Sequence, residues 1–231
     1  MRRWLLLLIF PLVAACTPVQ LGLDGNLYPS PTPVLGPPTL SAEQLAGWFE
    51  ENSPGCYAVP DTSPLDLARA FIQAGFVEGV AGDRMFMQSV IESGWFSFSN
   101  RPGARPCTGP TGQVKPQDFN FGGLGAVDSE AGTGRHVAQF ENAFEGARAQ
   151  AQHLVAYTTT DRPCGPPCLD PRFGLVRRGV AQTWDQFGCV GRAPDGAWAT
   201  SCRTGTDLPR DYGLRILNLY KDGLAYARDH P

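Results

Sequence analysis

The stretch Met85–Trp95, MFMQSVIESGW, decides how this chain is read. Met85, Phe86, Met87, Val90 and Ile91 follow a helical spacing and leave little polar surface, which predicts a helix buried nearly all round. Asp83 is expected to cap its start and Gly94 to end it. Glu92 then falls in the last turn of a buried helix. There the negative end of the macrodipole and burial both oppose a carboxylate charge, and both are expected to raise its pKa. A carboxylic acid that keeps its proton near neutral pH is what a glycosidase uses as proton donor. The competing reading is a salt-bridged or half-exposed terminal glutamate.

Outward from this helix the chain reads as helices joined by long loops. Ser41-Ala-Glu-Gln44 is a capping box, and Leu45, Trp48 and Phe49 follow at helical spacing to about Asn52. Ser63-Pro64 opens a second helix, with Leu67, Ala70, Phe71 and Ala74 as its buried stripe. Phe140–Tyr157 is the clearest amphipathic pattern, and Pro209–Arg228 closes the chain with Tyr212, Ile216, Leu217, Tyr220 and Leu224 inward. Arg172–Arg178 and Gln182–Phe187 are expected to be short helices. Phe96–Gln117 is a long Gly- and Pro-rich loop near Glu92, and Asp128–Gly134 reads as a turn or short hairpin. The expectation is a mostly α, lysozyme-like α+β domain of about six helices with a short β-hairpin lobe.

Composition narrows the partners. The chain has 231 residues and a net charge of −3, which argues against nucleic acid, since a phosphate binder shows a basic face. Charged residues make up only 18%, with 27 glycines and 21 prolines, so the domain is expected to be globular and loop-rich. Met1–Cys16 reads as a leader: Arg2 and Arg3, then the apolar run Trp4–Ala15, then Val13-Ala14-Ala15-Cys16, which looks like a bacterial lipobox. Cys16 is thus expected to be lipidated and to anchor an exported protein to a membrane in the cell envelope. Residues 17–39, rich in proline, read as an extended linker, and 40–231 as the domain. Six further cysteines in an oxidising compartment are expected to form disulfides, a zinc site being less favoured by their spacing. Of fifteen possible pairings, Cys56–Cys107, Cys164–Cys168 and Cys189–Cys202 are expected.

Several stretches carry a family resemblance. MFMQSVIESGW resembles the helix of glucosaminidase domains (glycoside hydrolase family 73, the mannosyl-glycoprotein endo-β-N-acetylglucosaminidase-like group), where an apolar helix carries Gln and then Glu-Ser-Gly-Trp. Asn120-Phe-Gly-Gly-Leu-Gly-Ala126 is similar to the family's Asn-x-x-Gly-Ile-x-Ala segment. Ala149-Gln-Ala-Gln-His-Leu154 resembles the helix that follows in one branch. Asp170-Pro-Arg-Phe173 looks like its Asn/Asp-Pro-Arg-Tyr/Phe motif, and Trp198-Ala-Thr200 with Asp211-Tyr-Gly213 looks like its closing segment. The order is kept over about Leu65–Leu224. Gly122 and Gly125 depart from it, standing where many members carry an aromatic and a basic residue.

The resemblance implies cleavage of β-1,4 bonds after N-acetylglucosamine in peptidoglycan glycan strands, with Glu92 as general acid. Glu130, near Asp128, sits where some members place a second carboxylate; a solvated turn residue is its bland reading. Tyr212 matches a family tyrosine near the active centre, or is core packing. Trp95 and Trp198 offer flat faces for sugar rings, and Asn120 a hydrogen bond to an N-acetyl group, unless the first two are core and the third caps a turn. His153 is expected to be a satisfied buried histidine. No catalytic metal and no cofactor are expected, and the protein is expected to be a monomer. Two other functions fit the same sequence: a lytic transglycosylase with a lone glutamate, and a non-catalytic peptidoglycan-binding envelope lipoprotein.

Overall fold

The computed structural model describes residues 19–21, 27–29, 32–99, 107, 113–126, 137–188 and 211–231. Capping chemistry sets where the helices start. Ser41 Oγ accepts from Gln44 N and Gln44 Oε1 accepts from Ser41 N, each at 3.1 Å, so α1 runs Ala42–Asn52. Ser63 accepts from Asp66 N, Pro64 takes the first helical position, and α2 runs Pro64–Glu78. α3 is Gly82–Glu92, α4 is Ala143–Thr158 behind the Asn142 cap, and α5 is Tyr212–Asp229 behind the Asp211 cap. The fold is therefore mostly helical, with five α-helices among the described residues. The expected helix at Arg172–Arg178 is a run of turns, and Gln182–Phe187 tightens into a 3-10 turn over Trp184–Phe187. The expected hairpin lobe at 128–134 lies outside the described residues.

Two departures concern the Pro-rich segment. Within the unit Met1–Ser30, β1 (Val19–Leu21) pairs antiparallel with β2 (Leu27–Pro29), Gln20 opposite Tyr28. The second unit begins at Pro31, earlier than the boundary expected at 40. Val34 is fully buried, accepts from Ala81 N (2.9 Å) and donates to the Gln182 carbonyl (3.0 Å). Residues 32–40 are thus a strap of the domain, secured by an apolar side chain and by ladder bonds that a solvated linker would lack.

Asp83 holds that strap. It does not cap α3, whose N-cap is Ala81 with no side-chain bond. Its carboxylate, inside the first turn, accepts from Thr39 N (2.7 Å) and Leu40 N (3.1 Å). Helix α3 is buried from Gly82 to Val90, with α2, α4 and α5 packed against it. α4 is buried more completely than an amphipathic stripe predicts: Ala149 through Thr158 are all inside. Gly146 lets it settle against the loop that precedes the candidate site, because a Cβ there would stand 1.8 Å from the Phe119 carbonyl oxygen.

The polar residues of α4 face a second buried network. Arg148 Nε donates to Glu78 Oε1 at 2.8 Å, and Gln152 Nε2 donates to the same oxygen at 3.1 Å. Gln152 also donates to the carbonyls of Gly165 and Pro167, within the loop that the Cys164–Cys168 disulfide closes. His153 Nδ1 lies 2.7 Å from Asp170 Oδ2, the satisfied buried histidine that was expected. The Cys56–Cys107 bond is also formed, while Cys189 and Cys202 lie outside the described residues, as does Cys16. Without Arg148 the buried Glu78 carboxylate would keep only the Gln152 bond and the more distant, part-exposed Arg162 at 3.9 Å, and weakening a buried ion pair is costly. Arg148→Met is therefore expected to cost about 3–5 kcal/mol in urea denaturation. Arg148→Met with Glu78→Leu is expected to recover most of that loss.

Candidate active site

The end of α3 is built as a reversal of the chain. Gly94 N donates to the Ile91 carbonyl (3.3 Å) and Trp95 N to the Val90 carbonyl (2.7 Å), the paired bonds of a Schellman motif, with Gly94 left-handed at φ 61°. The left-handed backbone then continues through Trp95 (φ 62°) and Phe96 (φ 54°), where side chains disfavour it. Packing holds both. Phe96 is fully buried, its ring centroid 5.1 Å from Phe86, 5.4 Å from Phe49 and 5.9 Å from Phe121. Trp95 stacks on Trp48 at 5.6 Å. Ser93 Oγ accepts from Phe96 N at 2.8 Å and donates to the Ser89 carbonyl at 2.6 Å.

This reversal leaves Glu92 at the rim. The expectation of a buried glutamate is corrected: the buried run of α3 stops at Val90, Ile91 is half-buried and Glu92 is exposed. A cleft of about 420 Å³ opens there, lined by Glu92, Ser93, Phe98, Val114, Gly123 and Ala126 among others. Gly123 (φ 67°) comes close with bare backbone; a Cβ on it would lie 4.0 Å from Glu92 Oε2. A neighbouring hollow of about 380 Å³ is lined by Trp95, Arg215 and Asn218 and meets the first at Ile91 and Gly94. Trp95 is half-buried on this wall, one face covered by Trp48.

Tyr212 reaches the same point from the first turn of α5. Its hydroxyl donates to Glu92 Oε1 and accepts from Gln88 Nε2 at 3.0 Å. Burial first, and then the adjacent Glu92 carboxylate, push the Tyr212 hydroxyl well above the ordinary tyrosine range, so it remains a protonated donor. The structure thus brings together Glu92, Tyr212 and Trp95. Glu130 and Trp198 lie outside the described residues. Among the cleft-lining residues described, Glu92 is the one carboxylate. No three His, Cys, Asp or Glu side chains among the described residues converge as a metal site would require.

Asn120 does other work. It is buried, donating through Nδ2 to the carbonyls of Leu124 (2.8 Å) and Ala138 (3.0 Å) and accepting at Oδ1 from Leu124 N (2.9 Å). Of the two readings for Asn120, these contacts fit the turn cap: one amide proton is committed to the Leu124 carbonyl in the loop that carries Gly123 and the other to the Ala138 carbonyl. Gln88 and Gln150, which no sequence argument singled out for the site, are buried beneath Tyr212. Their signal was present as amides among the apolar residues Met87, Val90, Ala149 and Ala151. Asn120→Ala is expected to cost about 1–3 kcal/mol in thermal or urea unfolding, the penalty for buried polar groups left without partners. A residue that only touched substrate would leave stability unchanged.

No protein-family profile matches the chain, and no solved structure matches it. It is similar to an uncharacterized protein of Borreliella burgdorferi, 31% identical over 117 residues. That alignment covers 51% of this chain and 49% of the relative, so the chain spans about half the length of the protein it matches.

Proposed function

We propose that this protein is a peptidoglycan hydrolase, an endo-β-N-acetylglucosaminidase of the glucosaminidase-domain kind, with Glu92 as general acid. The observation that carries the reading is the convergence of Glu92 and Tyr212 at an open cleft, on the helix whose MFMQSVIESGW sequence resembles that family. In this reading Glu92 protonates the glycosidic oxygen as the bond breaks. Tyr212 holds the carboxyl group in one orientation, and Trp95 supplies an apolar wall for a sugar ring. The bare backbone at Gly123 lets the glycan approach the acid. Glu130 is the proposed second carboxylate, Trp198 a second sugar platform, and a lipid on Cys16 the tether that holds a monomeric enzyme to an envelope membrane.

A lone carboxylate on the described cleft wall also suits a lytic transglycosylase, which uses a single acid–base and closes the sugar on itself. Product mass separates the two, since hydrolysis adds a water and transglycosylation does not. Purified peptidoglycan digested with protein lacking residues 1–30 is expected to yield reducing N-acetylglucosamine ends by mass spectrometry. Glu92→Gln is expected to keep the fold and the Tyr212 bond while losing about 10²–10⁴-fold in rate. Anhydro-muramic ends would replace the hydrolase with the transglycosylase. Full activity in Glu92→Gln would remove Glu92 from either role, and tight binding to sacculi with no products from the wild type would leave a wall-binding lipoprotein.

A further inference from the structure

Beneath the cleft, polar side chains from three helices line up in one direction. Ser89 Oγ donates to Gln150 Oε1 at 2.7 Å, Gln150 Nε2 donates to Gln88 Oε1 at 2.9 Å, and Gln88 Nε2 donates to Tyr212 Oη at 3.0 Å. The Tyr212 hydroxyl then donates to Glu92 Oε1. Ser89, Gln150 and Gln88 are completely shielded from solvent. Burying two amides and a hydroxyl in a helical core is costly unless each is paired, and apolar residues of like shape would pack as well. Here the pairing is complete along the chain and ends at a rim carboxylate.

We infer that Ser89, Gln150 and Gln88 are positioning residues: their relay fixes the Tyr212 hydroxyl as a donor to Glu92 Oε1 and so assigns the transferable proton of Glu92 to Oε2. The logic is one of donors and acceptors. With Gln88 Nε2 facing Tyr212, an amide nitrogen only donates, so Tyr212 Oη accepts from Gln88, and its single proton has only the direction of Glu92 left. Oε1 then accepts in both protonation states of the carboxyl group. Oε2, on the Gly123 side of the cleft, carries the proton when there is one. Aligned hydrogen bonds polarise one another, so each upstream link strengthens the last. The catalytic meaning of this relay rests on the reading of Glu92 as an acid; the relay itself does not.

The same side chains have a reversed arrangement, with both amides turned over and Ser89 giving its proton to the Met85 carbonyl, 3.2 Å away. Tyr212 would then donate to Gln88 and accept from a protonated Glu92. The two directions predict opposite effects on Glu92. A donated bond favours the carboxylate, so its loss raises the titration midpoint; an accepted bond favours the acid, so its loss lowers it. Among the described residues, Tyr212 from α5 is a titratable neighbour in contact with Glu92, the Arg215 charge acts on Tyr212, and the other described cleft-lining residues carry no titratable group.

The test is a carboxyl ¹³C NMR titration of Glu92 in glutamate-labelled protein, the signal assigned by its absence in Glu92→Gln. Tyr212→Phe is expected to move the midpoint to higher pH by roughly one unit, and Gln88→Met by a smaller amount in the same direction. Gln150→Met, one link further, serves if Gln88→Met does not fold. With glycan substrate, the high-pH limb of kcat/KM is expected to rise in parallel while KM holds. A midpoint that stays in place, or moves to lower pH, overturns the inference; a merely structural role would lower stability and leave the midpoint alone. The titration needs no substrate, so a Glu92→Gln enzyme with full activity would remove the proposed reaction and leave the relay standing.

Discussion

Everything at the cleft depends on a backbone reversal directly after Glu92, where three successive residues, Gly94, Trp95 and Phe96, are left-handed. Glycine adopts this freely, but each of the other two costs roughly 1–2 kcal/mol. Full burial of Phe96 contributes about 1.5–3 kcal/mol. The Trp48–Trp95 stack adds about 0.5–1.5 kcal/mol, so packing and strain are of the same size and the aromatic contacts offset the reversal. The consequence is geometric. A helix buried from Gly82 to Val90 is cut off at the surface, and its last residue, a glutamate, is presented to solvent with the main chain folded away beneath it.

The rest of the polar interior has the same character: side chains stand where ordinary backbone pairing is missing. Asp83 ties the strap at Thr39 and Leu40 to α3, Gln152 and Arg148 hold the loop closed by Cys164–Cys168, and Asn120 clamps the turn that carries Gly123. Each binds loop amides or carbonyls that no helix or sheet ladder pairs. In a domain with so many glycines and prolines, these side-chain bonds do for the loops what a sheet ladder does elsewhere.

The candidate site combines an exposed acid with buried support. Glu92 meets solvent, yet its partner Tyr212 is nearly sealed off, and the amides behind Tyr212 are sealed completely. Such an arrangement gives the carboxyl group access to a large ligand while restricting its orientation, which is what a proton donor to a polymeric substrate requires. Trp95 and Arg215 line a second hollow that shares Ile91 and Gly94 with the cleft at Glu92.

Local sequence was enough to determine the helices and most of the core. Ser41 with Gln44, Ser63 with Pro64, and Gly94 mark helix ends by chemistry that acts within a few residues, and the spacing of Leu67, Phe71, Met85 and Phe86 marks what is buried. Glu92 and Tyr212 were legible too, because motif order places them without knowledge of their contact. Only the tertiary structure decided how they meet. Asp83 looked like a cap, and Asn120 like either a ligand contact or a turn cap, since a side chain's nearest residues in sequence say nothing about Thr39 or Ala138 reaching it from afar. Gln88 and Gln150 gave no sign of partnership, being 62 residues apart, and Glu92 was read as buried because periodicity cannot foresee a left-handed reversal that depends on distant aromatic rings.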